Sequence, residues 1–349
     1  MLPFATRDLP GTGGESDASD RTCEEVLAKQ PAATGEHLWL KVAKTGLGTQ
    51  QARAAIARAG AVAIDFVECA GNRDRHGRSV QWFSVPAELV ENPGALRRAG
   101  TQGKMSVLEL TASHKPVTPD HVARLRWQVR IRGGNRDGGY HRAKAILDQL
   151  RRNGVPNFIP LSVFGRDGSF VKWGRMLLQG RRLPAQVTAT GVDEHRCLRA
   201  LQESLFDRYL SQRVDDGLLA TCLDGDLVEN RQAEVSAVAF RDHVQKRMDS
   251  WEVVPLGPLF GAGLAKVAGE AASREEAILA AAELSVSALA RLHGARRAIR
   301  VQPTSVLLDL EKDDLLLRCE LPTEAYITVI LDEIMKPSTE VLQAADPDA

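Results

Sequence analysis

Residues 70–85 read Ala-Gly-Asn-Arg-Asp-Arg-His-Gly-Arg-Ser-Val-Gln-Trp-Phe-Ser-Val, and within them one carboxylate, Asp74, stands among Arg73, Arg75, His76 and Arg78. A glycine lies on either side of the cluster, Gly71 and Gly77, and the chain then enters an apolar, strand-like stretch, Val80–Val85. Nearby cations favour the charged form of a carboxylate, so Asp74 is expected to be ionised. The same cations attract phosphate. A carboxylate in such surroundings suits carboxylate chemistry on a nucleic acid. Taken alone, an aspartate between glycines is most often a turn residue, so the rest of the chain has to decide.

Working outward, His37–Ala43, Ala61–Phe66, Met105–Thr111 and Val122–Arg132 also carry a strand signal. In the last, Val122, Arg124, Arg126, Gln128, Arg130 and Arg132 share one face, with Leu125, Trp127, Val129 and Ile131 on the other. The arginine face reads either as a solvated strand or as the lining of an RNA groove. Thr49 is placed to cap a helix running to about Ala59. A second helix, Arg142–Arg152, meets stop signals at Gly154 and Pro156. Residues 1–36, rich in Gly, Asp and Ser, read as irregular.

From about residue 155 to 303 the pattern turns helical. Helices are expected near Glu194–Val214, Val235–Met248 and Ser273–His293, the last opening on a capping box from Ser273 to Glu276. Strands return at Ser305–Leu310 and Asp314–Leu321, followed by a Thr323-capped helix through Met335. Strand-rich sequence thus flanks a helix-rich middle. This predicts an α+β fold built from both ends of the chain, 1–154 and 304–349, with a helix-rich domain inserted at 155–303.

Bulk properties narrow the class. The 349 residues are 44% hydrophobic and 26% charged, ordinary for a globular protein of up to two domains. No run of about 18 apolar residues exists and the N-terminus lacks a basic-then-apolar pattern, so a cytoplasmic protein without a membrane span is expected. Five scattered cysteines without C-x-x-C spacing point to reduced thiols. The zero net charge conceals a polarity: 18 Lys/Arg against 6 Asp/Glu between Glu91 and Arg182, but 3 against 11 from Ser305 to Ala349. Such asymmetry is as compatible with compensating surface charge as with nucleic-acid contact.

Several chemistries are excluded. There is no G-x-S-x-G nucleophile elbow and no G-x-x-x-x-G-K-[ST] phosphate loop. Gly261-Ala-Gly263 lacks the third glycine of a dinucleotide fingerprint and a preceding strand. The eight histidines never pair at ligand spacing, so no metal is expected.

The Asp74 segment resembles the catalytic motif of the tRNA pseudouridine synthase D family, whose pattern runs approximately Phe-x-Gly-x-Lys-Asp-Lys/Arg-x-Ala-x-Thr-x-Gln. Gly71, Arg73 in place of the lysine, Asp74, Arg75, Ser79 in place of the threonine, and Gln81 fall in register. The likeness continues through Glu36–Thr49, Gly154-Val-Pro-Asn157-Phe158 with Phe164-Gly165, Ser204-Leu-Phe-Asp207 (Leu-Phe-Asn in the family), Gly257–Gly261, Gly294–Pro303 and Leu321–Glu333. Six such segments in family order make a strong match. The chain departs where the family's Gly-Asn-x-Phe becomes Arg124-Leu125-Arg126-Trp127, and where an expected arginine before Phe164 is missing.

The resemblance implies a pseudouridine synthase catalytic domain with a mixed sheet, an inserted family-specific domain, and a basic cleft for tRNA between them. It implies isomerisation of a D-arm uridine (position 13 of the tRNA) without cofactor or metal; a monomer is expected. Asp74 would be the catalytic carboxylate, as nucleophile or as stabilising base. Arg73 would anchor it. Lys44, Arg75 and His76 are candidates for phosphate or base contacts, Asn157 is a further substrate-binding candidate, and Trp127 is either a stacking partner for the flipped base or a core aromatic. Phe158 and Phe164 are expected to pack the domain hinge. A second reading keeps the scaffold as an RNA-binding or RNA-remodelling protein without turnover.

Overall fold

The computed structural model of the protein describes residues 2–100, 103–238 and 240–336. In chain order the first elements are β1 (Arg21–Leu27), β2 (His37–Thr45), α1 (Thr49–Gly60), β3 (Glu68–Cys69), β4 (Arg78–Pro86), α2 (Pro93–Arg97), β5 (Met105–Ser113), β6 (Val122–Ile131) and α3 (Gly139–Asn153). Next come β7 (Val155–Pro156), α4 (Ser169–Leu178), α5 (Ala185–Thr188), α6 (Glu194–Asp215), β8 (Leu227–Asn230), β9 (Val235–Ala237), α7 (Arg241–Asp249), β10 (Val253–Leu259) and α8 (Gly269–Ala281). The last are β11 (Ala295–Ala298), β12 (Arg300–Val301), β13 (Thr304–Glu311), β14 (Asp314–Leu321) and α9 (Ile327–Met335).

These elements group into two compact units. One comprises Gly13–Tyr140 and Thr304–Glu324, the other the described parts of Met1–Thr12, His141–Pro303 and Ala325–Ala349. Residues 141–154 and the final helix therefore sit with 155–303. Polar contacts tie these segments together: Gln149 donates to the Ala5 carbonyl, the buried Glu333 carboxylate accepts from the N–H groups of Ala5 and Thr6, and Arg300 donates to the Asn153 carbonyl.

The first unit is built on an eight-stranded sheet in the order β13-β14-β6-β1-β4-β2-β5, with β3 paired to β4. The sheet is mixed, because β1 runs parallel to β4 while the other pairings are antiparallel. Helix α1 lies on one face, where Ala52, Ala55 and Ile56 share a core with Leu40, Val42, Phe83 and Val85. In the second unit a four-stranded sheet, β11-β10-β8-β9, accompanies the helices. There α6 forms the centre, burying Leu201, Leu205, Phe206, Tyr209 and Leu210, and α4 crosses it closely at Gly174.

Several sequence expectations are corrected. The stretch read as irregular contains β1, a central strand; its alternation was hidden because the inward position 25 is a glutamate. Ala61–Phe66 is no strand: Ile64–Phe66 is a 3-10 turn, closed by Arg53, which donates to the carbonyls of Ile64 and Val67. Val235–Met248 splits into edge strand β9 and helix α7, since pairing with β8 outweighs local helical pattern. Ser273 caps nothing; it lies inside α8 and its hydroxyl donates back to the Gly269 carbonyl. The final helix starts at Ile327 after Tyr326, without a side-chain cap from Thr323. The middle of the chain is thus less purely helical than its composition suggested.

Candidate active site

Strand alternation and register place one row of side chains on one face of the large sheet. Cys319, Trp127, Cys23, Ser79, Lys44 and Met105 are successive partners across β14, β6, β1, β4, β2 and β5, and residues directly opposite one another point to the same side. Trp127 is half-buried and its neighbours in the row are buried. The loop carrying Asp74 joins β3 to β4 and arrives at Ser79 in this row.

Asp74 itself is exposed at the crest of that loop. Its Oδ1 accepts the His76 N–H at 2.8 Å, as expected of a turn-forming aspartate. Oδ2 has no hydrogen-bond partner among the described residues.

Beneath the crest the loop is held by buried polar groups. Lys44 donates from Nζ to the carbonyls of Leu47 (3.0 Å), Asp74 (3.3 Å) and Arg73 (3.5 Å). Burial pulls the Lys44 pKa down, opposed mainly by the negative charge of Asp74. Thr49 is the first residue of α1, and the cap is Gly48. The Thr49 hydroxyl instead accepts the Arg73 N–H at 3.0 Å and donates to Gln81 Oε1 at 3.2 Å. Gln81, fully buried, donates in turn to the Gly71 carbonyl at 2.6 Å.

The Arg73 side chain points inward. Its Nε lies 2.9 Å from Glu25 Oε1, with the glutamate side chain completely buried. The other oxygen, Oε2, accepts the Trp82 N–H at 2.8 Å, just past the end of the β1–β4 ladder at Glu24 and Val80. Burial raises the Glu25 pKa, and Arg73 opposes that shift. Cys23 nearby is pushed up to about 12 by burial, which makes it a poor nucleophile.

The other candidates divide. Arg75, His76 and Arg78 are exposed beside Asp74 and enter no ion pair among the described residues. Trp127 stands next to Cys23, on the face opposite the arginines of β6. Three arginines of that row have acidic partners: Arg126 pairs with Glu24 and Glu320, Arg130 with Glu311 and Asp314, and Arg132, just past the strand, with Asp17 and Asp20. Glu311, Asp314 and Glu320 of the acidic C-terminal stretch are thus paired with Arg126 and Arg130 of the basic stretch. Asn157 belongs to the other compact unit. It is buried there, its amide donating to the Ala298 carbonyl and its Oδ1 accepting from Arg297. Glu25, Thr49 and the Lys44 contacts were not legible in the sequence as parts of the site.

Among the described residues, no group of three or more His, Cys, Asp or Glu could hold a metal ion, and no helix is long and apolar enough to cross a membrane.

The family model of tRNA pseudouridine synthase D (TruD) matches residues 3–188 and 197–334. The chain belongs to that family. It is thereby an RNA pseudouridine synthase, an isomerase that converts uridine into pseudouridine. Relatives named tRNA pseudouridine synthase D include one from Anaeromyxobacter sp. (strain Fw109-5), 36% identical with 99% of each chain covered. Another, from Thermus thermophilus, is 29% identical over 96% of this chain and 92% of that one. A solved structure from Methanosarcina mazei that carries the TruD name superposes with a TM-score of 0.76 at 16% identity, covering 97% of both chains. That likeness supports the α+β pseudouridine synthase fold.

Proposed function

We propose that this TruD-family member isomerises a uridine in the D-arm of tRNA, with Asp74 as the catalytic carboxylate. The observation that carries this reading is the exposed Asp74 carboxylate on a loop whose flanking peptides are anchored to buried Lys44 and Thr49. The isomerisation breaks the N1–C1′ bond, turns the base and joins C5 to C1′. C5 loses a proton while N1 gains one, so nothing is oxidised and the reaction consumes no cofactor. A target inside folded RNA has to be flipped out, at a cost of a few kcal/mol.

In this reading Oδ2 of Asp74 approaches C1′ or the proton to be removed. Arg75, His76 and Arg78 hold the backbone phosphates around the target. Trp127 supports the flipped base by stacking, an interaction of about 1–3 kcal/mol.

Pseudouridine mapping of tRNA incubated with purified protein tests the proposal. Wild-type protein should modify one D-arm uridine, and Asp74→Asn should leave the tRNA unmodified while binding it with nearly unchanged affinity. An active Asp74→Asn enzyme would remove Asp74 from the chemistry. Modification outside the D-arm would relocate the substrate.

A further inference from the structure

We propose that Glu25, Lys44 and Thr49 are positioning residues that aim the Asp74 carboxylate without touching the RNA. The inference rests on Asp74 being the catalytic group, and it concerns what holds that group in place.

Asp74 is exposed and its side chain makes only one hydrogen bond to the described residues, from its own turn. Its direction is therefore set by the backbone on which it stands. That backbone is held at three polar atoms. The Arg73 N–H is taken by Thr49, and the Arg73 and Asp74 carbonyls by Lys44. The neighbouring side chain is fixed as well, because Arg73 is drawn inward by Glu25.

The three holders come from three separate elements: β1, the end of β2 and the first turn of α1. They converge on one dipeptide from beneath. Each is buried, with exposures of 2%, 1% and 4% for Glu25, Lys44 and Thr49. A buried ammonium bonded to three carbonyls is not available to an RNA phosphate. Its arrangement fits holding a loop, since a catalytic group misplaced by about 1 Å can lose on the order of a hundredfold in rate.

Thr49 offers the cleanest test, because its methyl packs while its hydroxyl bonds. Thr49→Val is isosteric and removes the acceptor for the Arg73 N–H; Thr49→Ser keeps it. Single-turnover kinetics on tRNA should show Thr49→Val slowed by about tenfold or more, with tRNA affinity within about twofold of wild type. Thr49→Ser should recover most of the rate. Glu25→Gln should give the same split between rate and affinity, read at a temperature where circular dichroism shows the variant folded.

For Lys44→Met, the slope of log affinity against log salt should equal that of wild type. A slope reduced by about one would mean that Lys44 touches phosphate, and would overturn its assignment. A wild-type rate in both Thr49→Val and Glu25→Gln, with Asp74→Asn inactive, would overturn the positioning role and leave the catalytic reading standing. An active Asp74→Asn enzyme would overturn the catalytic reading, and this one with it.

Discussion

Trp127 faces Cys23 directly across the antiparallel β6–β1 ladder, and Cys23 faces Ser79 across the parallel β1–β4 pair. An aromatic ring is thereby set two strands from the strand that follows the Asp74 loop, on the same face of the sheet. Its indole Nε1 is buried and has no acceptor among the described residues.

This arrangement separates stacking from hydrogen bonding. Trp127→Phe keeps an aromatic face and removes an unpaired buried donor, so stability should hold or rise by up to about 1 kcal/mol. Pseudouridine formation should stay within a few-fold of wild type. Trp127→Ala should lower kcat/KM by the equivalent of about 1–3 kcal/mol if the ring stacks on the base. Denaturant unfolding and steady-state kinetics on the three proteins check both halves.

The two sets of arginines near the sheet should behave oppositely towards RNA. Arg126 and Arg130 already face carboxylates, so replacing either by alanine should change stability by less than about 1 kcal/mol and leave tRNA affinity almost unchanged. Arg75 and Arg78 are exposed beside Asp74 without ion-pair partners among the described residues. Alanine at either should weaken tRNA binding and reduce the salt slope by about one. Fluorescence anisotropy across a salt series distinguishes the pairs.

Gly77 is required by a close approach between backbones. A Cβ there would lie 2.7 Å from the Ala18 carbonyl oxygen and 3.0 Å from that of Arg21. Neither atom belongs to a flexible side chain. Gly77→Ala should therefore cost about 1–3 kcal/mol and push the Asp74 loop away from the start of β1. The expected readout is a lower unfolding midpoint together with reduced pseudouridine formation.

Asp207 should make stability depend on pH. Burial raises its pKa from 3.8 to about 8, although the Ile159 N–H donates to its carboxylate and Arg297 stands near. A carboxyl group that stays protonated in the folded state supports folding fully below its unfolded pKa. That support is lost as pH rises from about 3.8 through about 8. Asp207→Asn, which matches the residue found here in the resembling family segment, should flatten the stability profile across that window. It should exceed wild type in stability above pH 8, by an amount on the order of a few kcal/mol. Denaturant titrations at several pH values measure the difference.

Most of the large sheet was legible in the sequence because β2, β4, β5, β6, β13 and β14 carry their pattern locally. Strand β1 was not, since Glu25 occupies an inward position that only makes sense with Arg73 beside it. The same holds for Thr49, whose cap-like chemistry serves a loop 24 residues away. The face of β6 shows the limit from the other side. Its arginines were plain to read, but their carboxylate partners come from the distant ends of the first unit.

The sequence by itself determined the family, the α+β class and the identity of Asp74 as the group to examine. These depend on residue types at local spacing and on the order of short motifs. Tertiary structure alone decided which charges face each other. It gave Arg126 and Arg130 their carboxylate partners, buried Lys44 under the loop, and set Glu25 against Arg73. Coulombic and hydrogen-bond energies depend on distance in space and on burial, and neither quantity exists until strands far apart in the chain have paired.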